Sequence, residues 1–182
     1  MARFWKFLFR LSGWSLDITV AKREKCVICV APHTSNWDFL MGLMAYRSLG
    51  RKANFLMKKF WFFFPLKYLL SRLGGIPVVR NNKKNSLTSQ IIEMFRNRSY
   101  INLAVTPEGT RKAVDKWKTG FLYIAYGAKV PIQLAVIDYF NKKILIKEEY
   151  IPTNDPESDL KSIKAYYSNF KNAAKYPEKF KV

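Results

Sequence analysis

His33 is the only histidine in the chain, and Asp38 follows it five residues later in the run Ala31-Pro32-His33-Thr34-Ser35-Asn36-Trp37-Asp38. An imidazole is the side chain best suited to move a proton at neutral pH, so any base catalysis by imidazole must use His33. On a regular helix, positions five apart point ~140° away from each other. With His33 in a turn and Asp38 in the first turn of the helix that follows, the two side chains can meet. The carboxylate then accepts the proton of one ring nitrogen and leaves the other free as a base.

Ser35 is the nearest hydroxyl in sequence, but nothing around it resembles a nucleophile elbow. Cys26 and Cys29 have the spacing of half a zinc site or a redox pair, yet they lie in a continuously apolar run and read as buried strand cysteines. A substrate hydroxyl is the economical nucleophile, which makes the chemistry a group transfer. Hydrolysis through Ser35 or water is one alternative. A non-catalytic basic module for membrane or nucleic acid is another.

The charge around these residues is one-sided. The chain of 182 residues carries 32 Lys and Arg against 13 Asp and Glu, a formal charge of +19. Residues 1–137 hold 23 basic and 6 acidic side chains, and Asp38 and Glu108 are two of those six. Such a field attracts anions: nucleic acid, an anionic leaflet, a phosphorylated metabolite or an acidic carrier protein. No base-stacking or groove-reading motif accompanies it, so no nucleic-acid partner is expected. The hydrophobic fraction of 49% excludes disorder and suits one domain with a real core.

The elements that must position His33 alternate along the chain. Strands are expected at residues 25–31, 53–57, 76–79, 101–105, 131–137 and 142–149. Helices are expected at 37–49, 60–73 (interrupted by Pro65), 86–98 and 116–127, with a polar loop at 152–159 before a last basic helix. Thr34, Ser35 and Asn36 are the candidate caps of the helix at 37. This alternation predicts a single α/β domain with a mostly parallel central sheet flanked by helices. Ligands in such folds gather at the carboxyl ends of strands, where His33 and Glu108 both fall.

Residues 1–24 read as an amphipathic, membrane-associating segment ahead of the domain at 25–182. Phe4, Trp5, Phe7 and Phe9 suit the headgroup boundary, and Arg3, Lys6 and Arg10 suit lipid phosphate. The alternative is a terminal helix packed on its own domain. A signal peptide is disfavoured because Lys6 and Arg10 break the apolar stretch. No run reaches the ~20 apolar residues of a spanning helix. The aromatic run at 60–64 is either core or a greasy lip that touches membrane or an acyl chain.

The histidine-x4-aspartate block at 33–38 resembles the signature of the glycerolipid (lysophosphatidic acid) acyltransferases. Further blocks follow in that family's order: Gly74-Gly75-Ile76-Pro77-Val78-Val79-Arg80, Pro107-Glu108-Gly109-Thr110-Arg111, Lys118-Thr119-Gly120 and Val130-Pro131-Ile132. The resemblance covers about residues 25–140 and implies a glycerol-3-phosphate acyltransferase-like fold. It also implies that His33 deprotonates a glycerol-type hydroxyl as it attacks an acyl thioester, with Asp38 holding its tautomer. Arg80 would grip the acceptor's phosphate, and Arg111 would add a second cation. Glu108, Gly109 and Thr110 would shape the acceptor site, Glu108 bonding a glycerol hydroxyl, and Lys58 would assist.

The implied substrates are acyl-CoA or acyl-carrier protein as donor and 1-acyl-glycerol-3-phosphate as acceptor, giving phosphatidic acid. No metal or other cofactor is expected. The implied place is the cytoplasmic face of a membrane with anionic lipids, held peripherally. Two departures bear on the acceptor: Pro32 stands where the family commonly has asparagine, and Val78 where it often has phenylalanine. A lysolipid with another head group, such as a lyso-amino-acid lipid, is the alternative acceptor.

Overall fold

A computed structural model of the chain describes residues 2–78 and 86–182. Among them, seven strands form one sheet in the order β1-β7-β6-β2-β5-β3-β4. The strands are β1 (Ser15–Ile18), β2 (Lys25–Val30), β3 (Asn54–Lys58), β4 (Gly75–Val78), β5 (Ile101–Val105), β6 (Ile132–Asp138) and β7 (Lys143–Tyr150). The helices are α1 (Ala2–Leu11), α2 (Trp37–Ser48), α3 (Leu66–Leu73), α4 (Leu87–Asn97), α5 (Gly120–Ala128) and α6 (Pro156–Ser168). Five adjacent strands, β6, β2, β5, β3 and β4, run parallel. β7 returns antiparallel to β6, and β1 pairs parallel with β7. The fold is the expected single α/β domain with a mostly parallel sheet.

β2 lies at the centre because it can be buried on both faces. Val27 and Cys29 face one cluster, with Leu103, Ile132, Leu134 and Phe121. Cys26 and Ile28 face another, with Tyr46, Ala135 and Ile146. A strand with two buried faces reads as an uninterrupted apolar run, which is how residues 26–30 read. Both cysteines are buried and free, as expected.

Several expected boundaries move, each for a local reason. β1, at residues 15–18, is a strand beyond those expected and adds one edge to the sheet beside β7. The helical stretch at 60–73 divides into a short 3-10 turn at Lys59–Trp61 and α3, with Pro65 just before the helix. Proline is tolerated there because the first helical turn has no intrahelical partner for its missing N–H. α5 begins at Gly120 rather than 116. Trp117 is buried and its indole N–H donates to the Lys181 carbonyl at 3.2 Å, which holds residues 116–119 out of the helix. α6 starts within the expected 152–159 loop, where the Asp155 carboxylate accepts from the Glu157 and Ser158 N–H groups.

α1 packs along α2. Phe9 is buried with Met41, Ala45, Ile137 and Ile144, while Phe4, Phe7 and Leu11 are exposed. Among the described residues, no helix is long and apolar enough to cross a membrane.

Candidate active site

The loop between β2 and α2 is tied into a knot by one carboxylate. Asp38 lies in the first turn of α2 and is 4% exposed. Its Oδ2 accepts from the Thr34 N–H (2.9 Å), the Ser35 N–H (2.9 Å) and the His33 ring at Nδ1 (3.0 Å). Its Oδ1 accepts from the Tyr139 hydroxyl at 2.7 Å. The Ser35 hydroxyl accepts from the Trp37 N–H at 3.2 Å, so Ser35 and Asp38 share a variant of the capping box that starts the helix. The expected meeting of His33 and Asp38 across the turn is therefore realised.

Asp38 as an acceptor places the imidazole proton on Nδ1 and leaves the Nε2 lone pair free. No described residue bonds Nε2, and the His33 side chain keeps 15% of its surface exposed. On α2 the apolar side chains of Trp37, Phe39 and Leu40 are exposed, and Phe39 meets Phe55 edge to face at 4.7 Å.

Glu108 arrives from the carboxyl end of β5. A tight turn, in which the Gly109 N–H donates to the Thr106 carbonyl at 3.1 Å, presents it to His33. Gly109 takes φ +66°, a left-handed conformation suited to glycine. The Glu108 carboxylate is 4% exposed and accepts from the His33 backbone N–H through both oxygens, at 3.1 and 3.0 Å. Burial pushes its pKa up to about 8; the His33 N–H opposes the shift and the Asp38 charge adds to it. The direction favours the neutral form of Glu108, because its carboxyl is buried close to the Asp38 carboxylate. The expected bond from Glu108 to a substrate hydroxyl is occupied here by the backbone of the loop itself.

The remaining expected residues divide. Lys58 is exposed at the end of β3, paired in register with Val78 of β4. Arg80 lies outside the described residues. Arg111 is exposed, and Thr110 accepts from the Lys112 N–H at 3.4 Å. The Lys118 side chain runs over Gly109, within 2.9 Å of where a Cβ would stand. Sequence reasoning missed Tyr139 and the carboxyl-terminal segment. The Tyr176 N–H donates to the Thr34 hydroxyl at 3.2 Å, and the Lys175 ammonium stands 5.4 Å from the Trp37 ring centre. A tyrosine directly after the carboxyl end of a central strand was the signal available for the first. Among the described residues, no group of three or more His, Cys, Asp or Glu side chains is placed to hold a metal ion.

Comparison with known proteins adds an independent line. The family model described as Acyltransferase matches residues 17–138. Among solved structures, the crystal structure of the 1-acyl-sn-glycerophosphate (LPA) acyltransferase PlsC from Thermotoga maritima superposes with a TM-score of 0.63. It is 18% identical, and the match covers 93% of this chain and 78% of that one. A sequence comparison with curated proteins gives no match.

Proposed function

The chain belongs to the acyltransferase family, and from that premise we propose that it moves a fatty acyl group from a thioester to the free hydroxyl of a lysophospholipid. The first acceptor to test is 1-acyl-glycerol-3-phosphate, whose product is phosphatidic acid. The observation that carries the reading is the 3.0 Å contact of His33 Nδ1 with Asp38, which leaves Nε2 without a partner among the described residues.

The steps follow from that geometry. Nε2 takes the proton of the acceptor hydroxyl as its oxygen attacks the thioester carbonyl. Asp38 stabilises the imidazolium that forms. The tetrahedral intermediate collapses, the carbon–sulfur bond breaks, and the departing thiolate receives the proton from Nε2. General-base help of this kind is worth about 10²–10⁴ in rate. Ser35 is a poor protein nucleophile, being 7% exposed with its hydroxyl accepting from Trp37, so attack by the substrate hydroxyl is favoured over hydrolysis.

Arg80, Arg111 and Lys58 are proposed to bind the acceptor's phosphate, with Gly109 and Thr110 shaping the turn beside it. Glu108 supports the loop that carries His33. Acyl-CoA and acyl-carrier protein are both candidate donors, and a lyso-amino-acid lipid is the alternative acceptor. The enzyme is proposed to sit peripherally on the cytoplasmic face of the membrane. The exposed Phe4, Phe7 and Leu11 of α1 support that placement, with Arg3, Lys6 and Arg10 to meet anionic lipid.

Transfer of a labelled acyl group from each thioester to a panel of lysolipids tests the reading. The purified protein is expected to make the diacyl product, and His33→Ala to abolish it without unfolding the chain. Transfer by His33→Ala at the native rate would falsify the mechanism. Release of free fatty acid alone would turn the reading to hydrolysis.

A further inference from the structure

The two oxygens of Asp38 are not equivalent. Oδ2 takes the imidazole and two backbone N–H groups, whereas Oδ1 has a single partner among the described residues, the phenol of Tyr139 at 2.7 Å. Tyr139 follows β6 and lies just beyond the stretch matched by the acyltransferase model.

The residue is held at its ring and at its backbone. It meets the Trp14 ring edge to face at 5.1 Å, in the link between α1 and β1. The Tyr139 backbone N–H donates to the Ala173 carbonyl at 2.8 Å. The Lys175 ammonium lies 5.9 Å from the ring centre. A ring held this firmly aims its hydroxyl at one place. Burial first, and the bond to Asp38 second, push the phenol pKa up, so the group stays an O–H donor across the working range.

We propose that Tyr139 is a positioning residue for the His33–Asp38 pair: its O–H fixes Oδ2 toward the imidazole and moderates how tightly the carboxylate holds the ring proton. The chemistry is that of charge sharing. A carboxylate that accepts a strong O–H bond spreads its charge and stabilises a neighbouring imidazolium less. Among the described residues, the other titratable groups around the pair are Glu108 from the turn after β5, and Lys175 and Tyr176 from the carboxyl-terminal segment.

This inference rests on His33 being the base, but its test does not need turnover. Because the chain has one histidine, the imidazole C–H resonances followed by NMR as pH changes belong to one ring. Tyr139→Phe keeps the ring and removes the hydroxyl. It is expected to raise the His33 midpoint by about half a unit or more. The same variant is expected to lower kcat about tenfold to a hundredfold with the acceptor KM unchanged, as loss of an orienting partner does. Tyr167→Phe removes another buried phenol bond, to the Cys29 carbonyl at 2.6 Å, and is expected to leave the midpoint where it was.

An unchanged midpoint in Tyr139→Phe overturns the proposal, whatever happens to kcat. Should that variant fail to fold, 3-fluorotyrosine in the native sequence makes the phenol a stronger donor. The midpoint is then expected to fall, and a static midpoint overturns the proposal equally. Full activity in His33→Ala would refute the base assignment and leave the titration result standing.

Discussion

The carboxylate of Glu108 spends both oxygens on one donor, the backbone N–H of His33, at 3.1 and 3.0 Å. Two loops from adjacent parallel strands are joined there, since β2 pairs with β5 along its length. The residue that carries the candidate base is thus fixed at its backbone by Glu108 and at its ring by Asp38.

That placement sets a pH dependence. The Glu108 pKa is raised in the folded state, to about 8, by burial. The folded protein therefore binds this proton more tightly than the unfolded chain. The resulting stability is fully present below the ordinary carboxylate pKa and is lost as pH rises through the window up to about 8. Glu108→Gln keeps an acceptor for the His33 N–H and has nothing to titrate. The difference in Tm between native protein and variant, followed from pH 4 to 9, is expected to drift in the variant's favour as pH rises. A difference that stays flat would show that Glu108 titrates normally.

Asp38→Asn is a test of the knot around the carboxylate. An amide cannot accept on its nitrogen, so either the Tyr139 hydroxyl turns to accept from it or the donors on the Oδ2 side lose their acceptor. Acyl transfer is expected to fall by about 10³–10⁴-fold, the scale seen when a triad carboxylate becomes an amide. Stability is expected to drop by about 2–4 kcal/mol, because buried donors lose their partner. Denaturant unfolding and initial rates measure the two effects separately.

Gly74 connects α3 to β4 with φ +109°, and a Cβ there would run into the Ala53 carbonyl oxygen. Backbone cannot step aside as a flexible side chain can. Gly74→Ala is expected to cost about 2–4 kcal/mol, combining a strained dihedral with a displaced strand edge. Urea unfolding with an unchanged midpoint would show that the loop between α3 and β4 adapts.

For membrane contact, the packing of α1 recommends substitution over deletion. Phe9 belongs to the core, so removing the helix would disturb the fold as well as the surface. Phe4→Ser together with Phe7→Ser touches only exposed rings. Binding to anionic vesicles is expected to weaken about tenfold or more on loss of that apolar area. Equal binding would move the contact to the exposed Phe60 and Phe64 beside α3, or remove it altogether.

What could be read in advance was local. The central strand announces itself because β2 is buried on both faces, and His33 and Asp38 are close enough in sequence for one turn to join them. Ser35 was one of three cap candidates, and its hydroxyl accepts from the Trp37 N–H at the start of α2. Tyr139 is 101 residues from Asp38 in sequence, and only the parallel order of β6 beside β2 brings the two together. β1 has four residues at a sheet edge, too short for alternation to stand out. The start of α5 was displaced by Trp117, whose indole is claimed by the far end of the chain. Glu108 is a site candidate from its place after β5, but its attachment to a main-chain N–H leaves no trace in residue types.

The two cysteines of β2 have a practical consequence. Both thiols are buried, and burial pushes Cys26 up to about 12 and Cys29 higher still. Since the thiolate is the reactive species, neither competes for an alkylating reagent at neutral pH. A cysteine introduced on the outer side of α1 would be the only thiol a maleimide dye meets. The native chain is already a silent background for single-site labelling, with no need to replace the sulfurs that fill its core.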